Sequence, residues 1–288
     1  MASTPRGSGI RPAGADRPAG SLRAVRIARF VHPGGIAWGV VESAAAAGPN
    51  PPPESLTVAA IKDHPMGAIE FTGERFAIGD VRLLAPILPS KVIAVGRNYA
   101  AHAAEMGTDV PERPLIFLKP STAVIGTQDV IRLPADSDQV EHEAELALVI
   151  GKLAKDLPRD RALSAVFGYT CANDVTARDQ QRADVQFTRA KGYDSFCPIG
   201  PWIDTSFDPA AVRVRALVNG EVKQDGNTRD MIFDVATIVS FVSHVMTLVP
   251  GDVILTGTPD GVGRIVHGDT VTIAIEGLGE LVNPVRAK

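Results

Sequence analysis

The stretch Val140–Gly151 places the strongest constraint on what this chain can fold into. Glu141, Glu143 and Glu145 alternate along it, and five apolar residues, Leu146–Ile150, follow before Gly151. Side chains on a β-strand alternate between faces, so alternating glutamates share one face. The apolar run closed by glycine reads as a buried strand. Carboxylates on one buried wall repel one another unless a cation offsets their charge. Oxygen-only donors suit a hard divalent ion, Mg²⁺, Mn²⁺ or Ca²⁺, rather than zinc. Taken alone, the stretch is read more simply as a solvated edge-strand face, and the rest of the chain has to decide.

The totals exclude several classes. A chain of 288 residues holds one large domain, or a main domain with a small one. With 45% hydrophobic and 22% charged residues it has the composition of an ordinary soluble protein with a sizeable core. Net charge is −4 with no long basic run, which argues against a nucleic-acid partner. No apolar stretch reaches the roughly 20 residues of a membrane helix. The two cysteines, Cys171 and Cys197, lack metal-type spacing and are too few for a disulfide framework, which fits reduced thiols in a cytoplasmic enzyme.

Residues 1–21 are rich in Gly, Pro, Ala, Ser and Arg without apolar periodicity, and read as a disordered tail. Residues 22–85 read as a small accessory domain of short strands. Arg26–Val31 and Ile36–Val41 form a hairpin across His32-Pro33-Gly34-Gly35, Asn50-Pro51-Pro52-Pro53 is a loop, and Thr57–His64 is expected as a short helix. Residues 86–288 form the main domain. Strands dominate it from Lys91–Val95 onward, and the strongest hairpin signal pairs Val212–Val218 with Glu221–Lys223 across Asn219-Gly220. Helices are expected at Tyr99–Glu105, Arg159–Val166, Val175–Phe187 and Val235–Met246. The mixture predicts an α+β fold built on mixed sheets.

Five constellations can carry chemistry. His102 and Glu105 lie three apart on an expected helix, where the carboxylate would fix the imidazole tautomer and raise its basicity for general-base work. Gly107 offers that segment a hinge, as a lid requires. Lys119 ends the apolar run Leu115–Leu118 as either a rim residue or an anion ligand. Asp174 is either a helix N-cap or a third carboxylate beside the glutamates. Three carboxylates leave about half of an octahedral shell for water and substrate. Lys191, beside Gly192, could place an ammonium over an anionic substrate. The loop Leu255–Gly263 offers backbone N–H groups to carboxylates or phosphates. It lacks the strand–GxGxxG–helix context of a dinucleotide site and any Walker lysine.

Together these motifs resemble the fumarylacetoacetate hydrolase family. Gly96-Arg97-Asn98-Tyr99 with His102 and Glu105 comes first, then Phe117-Leu118-Lys119-Pro120 and Glu143-Ala144-Glu145-Leu146. Asn173-Asp174-Val175-Thr176-Ala177-Arg178-Asp179, Ala190-Lys191-Gly192 and Thr256-Gly257-Thr258-Pro259 follow in order. The resemblance covers about Lys91–Val285, and the preceding small domain resembles that of bacterial two-domain members. It implies a β-rich mixed-sheet roll with a small N-terminal domain, usually dimeric, holding Mg²⁺ or Mn²⁺, with Ca²⁺ able to replace them in a crystal. Alternation leaves Glu141/Glu143 and Glu143/Glu145 equal as a ligand pair. The resemblance selects Glu143 and Glu145, with Asp174 as the third ligand. It implies His102 and Glu105 as the lid dyad, Lys191 as the active-site lysine, and Arg97, Lys119, Gln181 and Thr258 as substrate-side residues. Glu141 stands where relatives often have His.

The implied chemistry is a metal-stabilised enolate of a small 2-oxo acid. C–C hydrolysis of an acylpyruvate-type substrate stands first. Oxaloacetate decarboxylation, and isomerisation or decarboxylation of 2-hydroxyhepta-2,4-diene-1,7-dioate-type compounds, stand behind it. The rival from another class is a non-catalytic binding homologue.

Overall fold

The computed structural model describes residues 25–43 and 55–288. The expected tail and the Asn50–Pro53 loop lie outside the described residues. Three sheets carry the architecture among those residues. The largest has twelve strands. Its main path runs from Phe71–Ala77 through Leu56–Ile61, Gly35–Ser43 and Arg26–His32 to Cys197–Asp204, then Val166–Asn173, Ala144–Ile150, Val253–Leu255, Val92–Gly96 and Leu115–Lys119. Most neighbours are antiparallel, but Val253–Leu255 and Val92–Gly96 run parallel, so the sheet is mixed. The strands of the N-terminal segment therefore continue the main sheet through Arg26↔Asp204 and Ile27↔Ile203.

The apolar run after the glutamates is buried along its whole length. Leu146, Leu148 and Ile150 pack with Val214, Ile273 and Leu281 of a five-stranded sheet and with Ile238, Val239 and Val242 of the helix Val235–Val245. Ala147 and Val149 face the other way, against Val92, Val253, Ile199 and Ile203. A strand covered on both faces has no reason to alternate polarity, which is why the run is unbroken.

Two expected hairpins form. Arg26–His32 pairs with Gly35–Ser43, and Arg213–Val218 pairs with Glu221–Asn227 across Asn219 and Gly220, whose φ values of 53° and 83° make the turn. Three expectations need correction. Thr57–His64 is not a helix: Leu56–Ile61 is a strand between Gly35–Ser43 and Phe71–Ala77. Its Ala59-Ala60 pair suggests a helix, but Thr57, Val58 and Ile61 suit a pleated surface and both faces are largely covered. Val175–Phe187 is not one helix. Thr176–Ala177 pairs with Val140–Glu141, and only Arg178–Ala183 and Thr188–Gly192 are helical. Arg159–Val166 holds one α-turn, Arg159–Ala162, and then a 3₁₀ turn, Leu163–Ala165. The other two helices appear as Ala100–Glu105 and Val235–Val245.

The glutamate strand itself breaks. Val140–His142 belongs to a small three-stranded sheet with Thr176–Ala177 and Gly263–Arg264, whereas Ala144–Ile150 belongs to the main sheet. Glu143 stands at the break, where its N–H donates to Asn173 Oδ1 at 3.0 Å. The cavity described next opens there.

Candidate active site

The break at Glu143 separates the fates of the three glutamates. Glu141 accepts from Arg178 Nε at 2.8 Å and from Gln139 Nε2 at 2.6 Å. Glu143 and Glu145 instead line a cavity of about 320 Å³, together with Asp174, Lys191, His102 and Arg178. Glu143, Glu145 and Asp174 each offer a carboxylate oxygen within 4.8 Å of the others, and all three residues are buried. Asp174 is not an N-cap, because the residues after it are extended and the helix begins only at Arg178.

Cations surround this cluster unevenly. Lys191 Nζ donates to Glu143 at 2.8 Å and to Asp174 at 2.7 Å. Lys119 Nζ donates to the other Asp174 oxygen at 2.5 Å and to Val175 O at 3.3 Å. Arg178 Nη2 donates to Glu143 at 2.6 Å. Four buried carboxylates, Glu141, Glu143, Glu145 and Asp174, thus meet three cations, Lys119, Arg178 and Lys191. The unbalanced charge falls on Glu145, which has no side-chain ion pair among the described residues and accepts only from Gly257 N–H, at 2.6 Å.

Proton affinities follow that imbalance. Burial opposes the charge of Glu143, but Lys191 and Arg178 outweigh it and hold the carboxyl well below the usual range. Burial, reinforced by Asp174 and Glu143, pushes Glu145 well above it. An all-oxygen donor set with one uncompensated buried carboxylate fits a hard divalent cation, and Glu143, Glu145 and Asp174 would hold it.

The lid segment sits over the same cavity. His102 is 6% exposed, and its Nδ1 lies 3.0 Å from Glu105 Oε2. With Nδ1–H donated to the carboxylate, the lone pair of a neutral ring is on Nε2. The other Glu105 oxygen accepts from Gly261 N–H at 3.0 Å. The glycine-rich loop thus directs its N–H groups at two of the protein's own carboxylates, Glu145 and Glu105. Gly257 has φ +96°, and a Cβ there would lie 2.6 Å from that of Asn98, so the loop passes where only glycine fits.

The expected substrate-side residues divide. Arg97, Gln181 and Thr258 line the cavity, whereas Lys119 lies behind Asp174 and outside the lining. Arg97 has φ 57°, and no side chain among the described residues pairs with it; the neighbouring Asn98 holds this turn through Phe233 and Thr256. The Gln181 carbonyl accepts from Arg178 Nη1 at 2.6 Å, leaving its amide N–H₂ as the group for a ligand. Thr258 donates its hydroxyl to Ala144 O at 2.9 Å, so toward a ligand it can only accept. Sequence reasoning passed over Arg178, the fork between Glu141 and Glu143. Its only sequence signal was its place in the Asn173–Asp179 motif, four residues past Asp174.

Comparisons with known proteins place the chain in a family. The family described as fumarylacetoacetate (FAA) hydrolase C-terminal matches residues 91–286, and Rv2993c-like, N-terminal, matches residues 25–86. The chain belongs to the fumarylacetoacetate hydrolase family. A crystal structure of 2-hydroxyhepta-2,4-diene-1,7-dioate isomerase from Mycobacterium marinum is 50% identical, with TM-score 0.84 over 92% of this chain and 99% of that one. Oxaloacetate tautomerase FAHD1, mitochondrial, of Arabidopsis thaliana is 44% identical over 67% of this chain and 89% of its own. A fumarylpyruvate hydrolase from Pseudomonas aeruginosa, solved with Mn²⁺ and pyruvate, is 36% identical, with TM-score 0.67 over 71% and 91% of the two chains. Members of this family are thus enzymes of several kinds and share the β-rich fold, and the Mycobacterium marinum structure shares the small N-terminal unit as well. No helix among the described residues is long and apolar enough to cross a membrane.

Proposed function

We propose that this protein is a divalent-metal-dependent enzyme that moves a proton at C3 of a small 2-oxo acid, interconverting keto and enol or isomeric forms. The observation that carries the reading is His102, paired with Glu105, lining one cavity with Glu143, Glu145 and Asp174. A Mg²⁺ or Mn²⁺ ion held by those carboxylates would supply Lewis-acid stabilisation of negative charge on the 2-oxo oxygen. The chain's own residues do the rest. His102 Nε2 takes the proton from C3 and delivers it to the enolate oxygen, or to a further carbon of a conjugated enolate, while Glu105 keeps Nδ1 protonated and balances the imidazolium. Lys191 adds positive potential from its seat between Glu143 and Asp174. Arg97 is free to pair with a substrate carboxylate, and the Gln181 amide to donate to one.

Relatives bearing isomerase and tautomerase names at 50% and 44% identity favour proton transfer as the first activity. Acylpyruvate-type C–C hydrolysis is the second reading, favoured by the fumarylpyruvate hydrolase at 36%. There the same dyad would deprotonate a water aimed at the distal carbonyl. Either way the acting form is read as a cytoplasmic homodimer with no nucleic-acid or membrane partner.

The test sets enol oxaloacetate, a hydroxymuconate-type dioate and an acylpyruvate side by side, with Mn²⁺ or with EDTA. Ultraviolet absorbance follows the first two, and pyruvate release follows the third. Turnover should require the metal, and Glu145→Gln should lower kcat/KM by about 10²-fold or more. Full activity in EDTA would refute the reading.

A further inference from the structure

One buried amide joins the carboxylate cradle to the loop that clasps the lid. Gln224 lies on the strand Glu221–Asn227, the edge of the five-stranded sheet, and is the only fully buried side chain of that strand. A bulge puts it there. Leu217 pairs with Val222 but Ala216 pairs with Gln224, so Lys223 is the extra residue and Gln224 takes the inward face beside Ala216.

The amide makes four contacts. Its Oε1 accepts from Ala144 N at 2.8 Å and faces His142 Nδ1 at 3.1 Å. Its Nε2 donates to Thr258 Oγ1 at 2.8 Å and to Pro259 O at 2.7 Å. The backbone partners remove any ambiguity: Ala144 N–H can only donate and Pro259 O can only accept, so the amide has one orientation. His142 must then present Nδ1–H to Oε1, and its neutral form, favoured by burial, leaves Nε2 as a bare lone pair.

Ala144 lies between Glu143 and Glu145, and its N–H and C=O are both inside this network, the C=O accepting from Thr258. The same loop carries Gly257 N–H to Glu145 and Gly261 N–H to the lid residue Glu105. The loop also rests on the strand of Gln224: a Cβ at Gly261 would meet Lys223 O at 2.3 Å, and one at Gly226 would meet Pro259 Cβ at 2.4 Å.

We infer that Gln224 is a positioning residue that locks the Glu143–Glu145 segment and the Thr258–Gly261 loop into one geometry, so that cradle and lid are set together. The role rests on the metal-dependent reading above, and it concerns a residue that touches neither ion nor substrate.

The test uses the full-length protein. Gln224→Met keeps the length of the side chain and removes the four polar contacts, and Gln224→Asn is the milder variant should Gln224→Met fail to fold. Asn283→Leu is the control, since Asn283 is a buried amide that donates to Gly126 O and Asp129 O outside the cavity. Mn²⁺ affinity by calorimetry should fall about 10–100-fold in the Gln224 variants and stay within twofold in the control. Hydrogen exchange should quicken in peptides covering 100–107 and 255–263 in the Gln224 variants alone. Unchanged exchange in both segments of a folded Gln224 variant overturns the inference. If the wild-type protein binds no Mn²⁺, the metal reading falls, while exchange still decides the clamp.

Discussion

Arg178 shows how much a single buried side chain carries. Its guanidinium donates to Glu141, Glu143 and Gln181 through three different nitrogens while only 2% of the residue is exposed. Burial opposes its charge, but Glu143 and Glu141 outweigh that and raise its proton affinity further. Removing one partner of a buried ion pair strands the others, which typically costs about 3–5 kcal/mol. Arg178→Met should therefore lose stability of that order in urea unfolding at neutral pH. Arg178→Lys should recover only part of it, since one ammonium nitrogen cannot reproduce the planar guanidinium that reaches Glu141, Glu143 and Gln181 from three separate nitrogens. A change under about 0.5 kcal/mol in the methionine variant would remove Arg178 from this role. At this scale the sequence was legible where chemistry is unusual: three alternating glutamates and an imidazole three residues from a carboxylate announce themselves. Arg178 and Gln224 did not, because an arginine or glutamine acquires meaning only from partners 37 and 80 residues away.

Among the elements, the helix Val235–Val245 is the clearest case of local and tertiary signals agreeing. Ile238, Val239 and Val242 supply its buried stripe, and Asp234 caps it by accepting from Thr237 N–H at 2.8 Å. Partial burial pushes the Asp234 carboxyl up, but the Thr237 hydrogen bonds and the Arg159 guanidinium prevail and hold it below the ordinary aspartate range. The charge-dependent part of the cap's contribution is therefore complete above the unfolded-state pKa and is lost as pH falls through the lower folded-state value. Asp234→Ala should cost about 1 kcal/mol at pH 7, nearly all from the cap, since the exposed pair with Arg159 is screened. The difference between variant and wild type should shrink in acid, and a gap of undiminished size at the lowest pH where both fold would contradict the assignment. Elements whose patterning was decided elsewhere were harder to read. Leu56–Ile61 lies between two strands and is covered on most sides, which erases the alternation that marks a half-buried strand. Val175–Phe187 carries helix-forming residues, yet Thr176–Ala177 is drawn into pairing with Val140–Glu141. The same pairing splits the glutamate strand in two, and that split, invisible in the alternation, delivers Glu143 to the cavity.

For the whole molecule, the main sheet has layers on both faces, and a cysteine reports on each. Cys171 sits in the cluster facing the five-stranded sheet, and Cys197 in the cluster on the opposite face. Both are fully buried, and burial pushes each thiol up to about 12. At pH 8 only about 10⁻⁴ of either would be thiolate, so neither reacts from the native state even if reagent arrives. The strands that carry them are neighbours, joined at Cys171↔Gly200, and Cys197–Asp204 also receives the N-terminal strand Arg26–His32. Opening either face of this sheet must disturb the strand bearing the other thiol. Labelling with a chromogenic disulfide at pH 8 should therefore be negligible in native buffer. In moderate denaturant both thiols should react together, at the rate at which circular dichroism is lost. If Cys197 labelled ahead of Cys171 while the circular dichroism stayed native, the two faces would open independently. The layers would then be separate cooperative units rather than one.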